Sequence, residues 1–149
     1  MLVESNGFME QNSVGDVCGF DLSMLNTFST ETYFPVRERL HDCEALSERS
    51  LLRRYEYLSS IPAPTIGLDV GMDGLLTGVL TWMEIQFGEH VFSNEPGAPS
   101  HWHKAFHPLA RPIRVSAGQV IEVTIDDDGR AICDLVESSA RPRSGSGAS

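Results

Sequence analysis

The sequence predicts a mainly β protein whose short antiparallel strands form a barrel or a sandwich, with a short helical insertion before them. Three observations favour this fold class. Short segments rich in β-branched, aromatic and other apolar residues dominate the chain after Pro64. Turns containing Gly, Pro and Asp separate these segments. The strands do not alternate with helices, as they would in a parallel α/β fold.

Residues 1–15 are polar and predict an extended lead-in. The segment Glu31–Tyr57 alone has helical character, and its loose apolar spacing predicts one or two short helices. Pro62 and Pro64 then interrupt the chain. Later segments predict strands, with a turn at Asp127-Asp128-Gly129 and a disordered tail at 138–149. These strands are Leu75–Phe87, Ile113–Val115, Gln119–Ile125 and Ala131–Val136.

Composition limits the classes of function. The 149 residues suffice for one compact domain, and no apolar stretch approaches the roughly 20 residues of a membrane-spanning helix. The net charge of −10 disfavours nucleic acid and anionic membranes as partners and permits a cationic one. Three cysteines without a CxxC pair, and no signal peptide in Met1–Gln11, predict reduced thiols and a cytoplasmic location.

The segment from Phe92 to Leu109 carries the most chemical information. Pro96, Gly97 and Pro99 predict a shaped loop, which then presents Ser100, His101 and Trp102 in succession. An imidazole relays protons near neutral pH, and an indole face binds planar cations such as guanidinium. The residues alone equally allow a tryptophan packed in the core and a histidine on the surface.

This loop resembles the Thr-His-Trp loop of the protein arginine methyltransferases, with Ser100 in place of the threonine. His103 and Lys104 depart from that pattern, since they stand where lysine and glutamine are usual. The resemblance covers about residues 3–137 in the same order. It includes Gly19–Ser23, which resembles the start of the family's dimerisation arm, Gly78–Phe87, which resembles the strand before the loop, and Pro112–Gly118, which resembles the turn after it.

The resemblance implies a fold and a role for each matching residue. It implies an antiparallel β-barrel over 16–137, with a dimerisation arm at about 20–57 that packs on the other subunit of a dimer. His101 would be catalytic, facing the catalytic domain and relaying the released proton. Ser100 and Trp102 would bind the substrate, a cationic guanidinium or amine.

The donor-binding parts of that family have no counterpart in the sequence. The family binds S-adenosylmethionine in a doubly wound domain with a glycine-rich turn, and orients the guanidinium with two glutamates on a hairpin. Gly67, Gly71 and Gly74 are spaced wrongly for such a turn and predict turns between strands. We therefore expect this chain to bind no cofactor or metal alone and to need a separate donor-binding subunit.

Other interpretations stay open at this stage. His101, His103 and His107 would share one face of a strand, as in a metal-binding cupin barrel, although no glutamate follows His103 closely. The chain could instead be a non-catalytic binding or scaffold module that kept the barrel, or a truncated fragment.

Overall fold

A computed structural model of the chain describes residues 1–5, 7–8, 13–30, 32–36, 43–55 and 65–136. Strands dominate this part of the chain, which also contains a 3-10 helix at Ser23–Thr30. The strands are β1 (Leu2–Glu4), β2 (Asp16–Val17), β3 (Phe20–Asp21), β4 (Phe34–Val36), β5 (Glu44–Ala45), β6 (Thr65–Asp69), β7 (Gly74–Thr81), β8 (Glu84–Phe87), β9 (His90–Ser93), β10 (Lys104–Val115), β11 (Val120–Ile125) and β12 (Ala131–Val136).

Two antiparallel sheets form the body of the protein. The larger has the order β4-β10-β7-β1-β5, and the smaller has the order β12-β11-β6. Strands β2 and β3, and strands β8 and β9, form separate two-stranded hairpins. The chain is therefore mainly β, as predicted.

The predicted barrel is not confirmed. Among the described residues, a single bridge between Ser47 and Val70 joins the edges of the two sheets on one side. On the other side β12 lies near β10, but the described ladders do not pair these two strands. The two sheets thus face each other without closing into one continuous hydrogen-bonded cylinder.

The main core lies between the two sheets. Leu2, Leu76 and Val79 from the larger sheet meet Ile121 and Val123 from the smaller sheet, all almost completely buried. Adjacent strand residues point to opposite faces, so Val3 and Leu80 lie on the other side of the larger sheet. There they pack with a second cluster that contains Phe8, Val36 and Phe106.

The helices predicted within Glu31–Tyr57 are wrong for the described part of that stretch. Phe34–Val36 forms β4 against β10, Glu44–Ala45 forms β5 against β1, and residues 48–55 have no regular secondary structure. Residues 37–42 and 56–57 lie outside the described residues. Loose apolar spacing gives a helix little stability of its own, so pairing with distant strands decides the local structure.

The strand predictions hold better than the helix prediction. Strands β11 and β12 match the predicted segments, and Gly129 forms the turn between them with a φ of 85°. Trp82 and Met83 divide the predicted strand Leu75–Phe87 into β7 and β8. Gly67 and Gly74 lie inside strands rather than in turns, and Gly71 alone of the three lies in a connection. The predicted tail at 138–149 lies outside the described residues.

No helix among the described residues is both long enough and apolar enough to span a membrane.

Candidate functional site

The candidate site is the connection between β9 and β10, residues 94–103. The chain turns sharply after Glu95, where the Ala98 amide donates to the Glu95 carbonyl oxygen at 3.0 Å. Gly97 has a φ of 84°, a conformation that glycine adopts without steric cost. The Ser100 amide then donates to the Ala98 carbonyl oxygen at 2.8 Å. These local bonds give the loop a defined shape.

Asn94 fixes the two ends of this loop. Its backbone amide donates to the Met83 carbonyl oxygen at 3.2 Å, and its side-chain Oδ1 accepts from the Met83 amide at 2.8 Å. Its Nδ2 donates to the carbonyl oxygen of His103 at 2.8 Å. The side chain is almost completely buried. One amide group thus connects the base of the β8–β9 hairpin to the last residue of the loop.

Ser100, His101 and Trp102 lie together on the exposed tip of the loop. The Ser100 hydroxyl accepts a hydrogen bond from the Trp102 amide at 3.1 Å. The rings of His101 and Trp102 meet edge to face with centroids 6.3 Å apart. All three residues are exposed, and Trp102 retains 44% of its accessible surface. The indole is therefore outside the hydrophobic core and its surface can contact another molecule.

The Ser100 hydroxyl has a structural use that its exposure does not reveal. Serine and threonine hydroxyls accept from an amide two residues later in short local turns. A serine and a threonine at position 100 would both supply this acceptor oxygen. The hydroxyl for which the family resemblance implies a substrate contact thus also accepts a hydrogen bond from the Trp102 amide.

A cleft of about 1380 Å³ lies between the start of this loop and the gap between the two sheets. Glu95 lines it and forms an ion pair with Arg49 across its edge. Its other walls include Tyr33 and His107. Ser100, His101 and Trp102 do not line the cleft, so the structure separates the three sequence-predicted residues from it.

His107 is the buried titratable side chain of this cleft. Its Nδ1 lies 2.6 Å from the Gly129 carbonyl oxygen, and its Nε2 lies 2.9 Å from the Thr81 hydroxyl. The carbonyl can only accept, so Nδ1 donates to it. Burial lowers the pKa of His107 from its usual value. The neutral imidazole is therefore a link between β10 and the turn between β11 and β12.

The three histidines of the cupin interpretation do not share a strand face. His101 and His103 lie in the loop, whereas His107 lies within β10 with a partner at each ring nitrogen. In the described part of the chain, no group of three or more His, Cys, Asp or Glu residues is arranged to hold a metal ion.

The chain has sequence similarity to a known enzyme. No protein-family model matches the chain. Over 129 residues the chain is 32% identical to an arginine N(omega)-methyltransferase of Streptomyces achromogenes subsp. streptozoticus. The alignment covers 83% of this chain and 36% of the relative. The chain is therefore similar to part of an arginine N(omega)-methyltransferase.

The similarity covers only part of the Streptomyces enzyme. The chain spans about a third of the length of the Streptomyces enzyme, 36%, so most of that enzyme has no counterpart in this sequence. The aligned region includes most of the described strands, because it covers 83% of this chain.

Sequence patterns do not predict the hydrogen-bonding roles of two side chains near this site, one of them the His107 of the cupin interpretation. Asn94 and His107 have partners that are distant in sequence, and only the fold brings them together. Asn94 had a weak signal, a polar amide between the end of a strand and Pro96. Neither residue could be assigned a partner from the sequence.

Proposed function

We propose that this chain is the substrate-binding and dimerisation part of an S-adenosylmethionine-dependent arginine N-methyltransferase, and that a separate subunit binds the methyl donor. The observation that carries the proposal is the 32% identity to an arginine N(omega)-methyltransferase over 129 residues. The two facing sheets would correspond to the barrel of the arginine methyltransferases.

The exposed loop supplies two of the interactions that such a reaction needs. The accessible indole of Trp102 offers a face on which a planar guanidinium stacks, and the net charge of −10 attracts a cation. His101 lies beside this indole and can accept a proton. Donor and substrate must meet in line, so this loop would face the donor-binding subunit.

These roles account for both the methyl transfer and the release of a proton. A guanidinium nitrogen forms a bond to the methyl carbon as the bond from sulfur to that carbon breaks, which leaves S-adenosylhomocysteine. The nitrogen then loses one proton, which His101 receives and passes to solvent. S-adenosylmethionine supplies the methyl group when bound. The residues of this chain orient the guanidinium and move the proton.

The dimerisation arm predicted at about 20–57 would begin with β3 and the 3-10 helix, and the adjoining β2 would extend its surface. Val17, Phe20, Met24 and Leu25 in this segment are exposed, and Met24 retains 75% of its surface. Exposed apolar groups in one segment are typical of a partner surface. Phe34 instead packs on Phe8 with ring centroids 5.0 Å apart, so the arm's contact with its own domain begins there. The side chain of Phe28 lies outside the described residues.

A complementation experiment tests the proposal. The part of the Streptomyces enzyme outside the aligned region is purified, and methyl transfer from radiolabelled S-adenosylmethionine is measured with an arginine-containing peptide and with free arginine. We expect methylation only when this chain is added. The preferred acceptor identifies the substrate as peptide or small molecule.

Substitutions in the loop test the two assigned roles. We expect His101→Ala and Trp102→Ala each to lower the rate of this mixture by about a hundredfold or more, because proton transfer and substrate orientation are lost. Both side chains are exposed, so melting temperatures should change little. His90→Ala, an exposed histidine on the β8–β9 hairpin, is the matched control.

Each negative outcome has a definite meaning. Full activity in both loop variants would end their assignment to the site. An inactive mixture would favour a non-catalytic binding module that kept this fold. Methylation by this chain without the added donor-binding part would contradict the need for a separate subunit.

A further inference from the structure

We propose that Asn94 is a positioning residue, whose carboxamide holds the Ser100-His101-Trp102 tip in the orientation that substrate requires. This inference rests on the proposed function for its catalytic consequence. Asn94 contacts none of the three tip residues through the bonds described above; it acts through the backbone at both ends of the loop.

The chemistry of the bonds explains why an asparagine suits this position. The Met83 amide can only donate and the His103 carbonyl can only accept. A side chain that joins them must present one acceptor and one donor at the ends of a short planar group, as a carboxamide does. These partners also fix the assignment of its oxygen and nitrogen.

The position of the bonds explains their effect on the tip. His103 directly follows Trp102, so a fixed His103 carbonyl limits the directions that the preceding peptide units can take. The other end of the loop is fixed at Asn94 itself. With both ends fixed, the local bonds of Ala98, Ser100 and Trp102 have fewer alternative backbone arrangements to compete with.

Burial makes this arrangement sensitive to small changes. Asn94 retains 1% of its surface, so water does not replace a lost partner easily. The variant Asn94→Asp has almost the same shape and keeps the acceptor for the Met83 amide. It places an oxygen opposite the His103 carbonyl oxygen, where Nδ2 donated before. In its ionised form the variant therefore loses the bond on the loop side and keeps the bond to the Met83 amide.

Two measurements test the inference. Hydrogen exchange followed by mass spectrometry compares residues 95–103 with β11, and steady-state kinetics of the reconstituted mixture gives kcat and KM. For Asn94→Asp we expect exchange of residues 95–103 to rise about tenfold with β11 unchanged. We expect kcat to fall about tenfold with a smaller change in KM, because orientation is lost more than affinity.

Matched variants separate this effect from a general loss of stability. Gln119→Glu is the same amide-to-acid change in the turn before β11, where Oε1 accepts from the Ser116 amide at 2.7 Å. It should leave loop exchange and kcat at wild-type values. If Asn94→Asp does not fold, Asn94→Ser provides the uncharged test, since its shorter side chain lacks the carboxamide that donates to the His103 carbonyl oxygen.

Unchanged exchange of residues 95–103 in both Asn94 variants would overturn the inference. Faster loop exchange with wild-type kcat would also overturn it, since the loop's order would then have no catalytic consequence. If the wild-type mixture is inactive, the proposed function fails, and loop exchange still decides whether Asn94 holds the tip.

Discussion

At the scale of single residues, His107 shows how one side chain can join two sheets. Its ring reaches from β10 to the Gly129 carbonyl oxygen in the turn between β11 and β12, and Tyr33 packs beside it with ring centroids 5.8 Å apart. Protonation of Nε2 would replace its role as acceptor from the Thr81 hydroxyl and would place a charge in a buried site. The folded protein therefore favours the neutral ring.

We expect the free energy of unfolding to fall as His107 becomes protonated. Its pKa in the folded protein is below the unfolded value of 6.5, because burial disfavours the charged form. Its contribution is fully present above pH 6.5 and is lost as the pH falls towards the folded pKa. Urea unfolding at pH 7.5 and pH 5.5 should show a smaller pH effect for His107→Gln than for wild type.

The Met1 amino group must be separated from this effect. Burial lowers its pKa from 8.0 to about 6, so its stabilising contribution is lost between pH 8 and pH 6. The amino group also interacts electrostatically with His107, so the difference between the two proteins reports the histidine together with that interaction. An equal pH effect in the two proteins would show that His107 does not control it.

The sequence predicts the loop tip of Ser100, His101 and Trp102 but not the hydrogen bonds that hold the surrounding structure in place. Pro96, Gly97 and Pro99 indicate a turn from local conformational preferences alone, and Ser100, His101 and Trp102 follow directly. The bond from Asn94 to His103 depends on two strand ends meeting, and that from His107 to Gly129 depends on the packing of two sheets. Such pairings carry no local signal.

At the scale of elements, β7 and β10 form the central pair of the larger sheet. Their register changes between Pro108 and Ile113, where the ladder is interrupted. Residues Leu76 to Leu80 of β7 are all buried, so both faces of this strand are covered. Gly78 permits the close approach, because a Cβ there would lie 2.6 Å from the His107 carbonyl oxygen and from the Phe106 ring.

We expect Gly78→Ala to destabilise the protein by about 1–3 kcal/mol, because the added methyl group has no space and β10 must shift. Gly71→Ala is the matched control, since a Cβ there would lie 3.7 Å from the Leu46 carbonyl oxygen. Its effect should stay within about 0.5 kcal/mol. Chemical denaturation measures both values, and equal stability of the two variants would contradict this account of the β7–β10 contact.

The sequence predicts strands in which buried and exposed residues alternate. It does not predict strands whose conformation depends on pairing with distant strands. In β11, Ile121 and Val123 are buried while Glu122 is exposed, the alternation that the sequence shows. Strands β4 and β5 have three and two residues, too few for any periodicity. Their conformation follows from ladders to β10 and β1, which lie far away in the chain.

At the scale of the whole molecule, exposed large apolar side chains lie in several elements, including the hairpin β2–β3, the 3-10 helix, the hairpin β8–β9 and β12. The hairpin β2–β3 and the 3-10 helix expose Phe20 and Met24, and no described residue of these elements belongs to the two buried core clusters. A segment that contributes little to the core can be altered without unfolding the rest. This separation makes the proposed arm testable apart from the fold.

We expect the double substitution Phe20→Ser and Met24→Ser to leave the melting temperature within about 3 °C of wild type, since both side chains are largely exposed. If the arm binds another subunit, the change should weaken dimerisation or association with the donor-binding part by at least tenfold, measured by sedimentation. Phe87→Ser, an exposed aromatic outside the arm, is the control. Unaltered association would remove the arm from the interface.

The turn between β2 and β3 has a practical consequence for such studies. Cys18 sits exposed in this turn with a φ of 54°, whereas Cys43 is half-buried and burial raises the pKa of Cys133 to about 12. Alkylation requires an accessible thiolate. A maleimide dye therefore selects Cys18 in the natural sequence, and its emission would report when a second protein surface covers that end of the molecule.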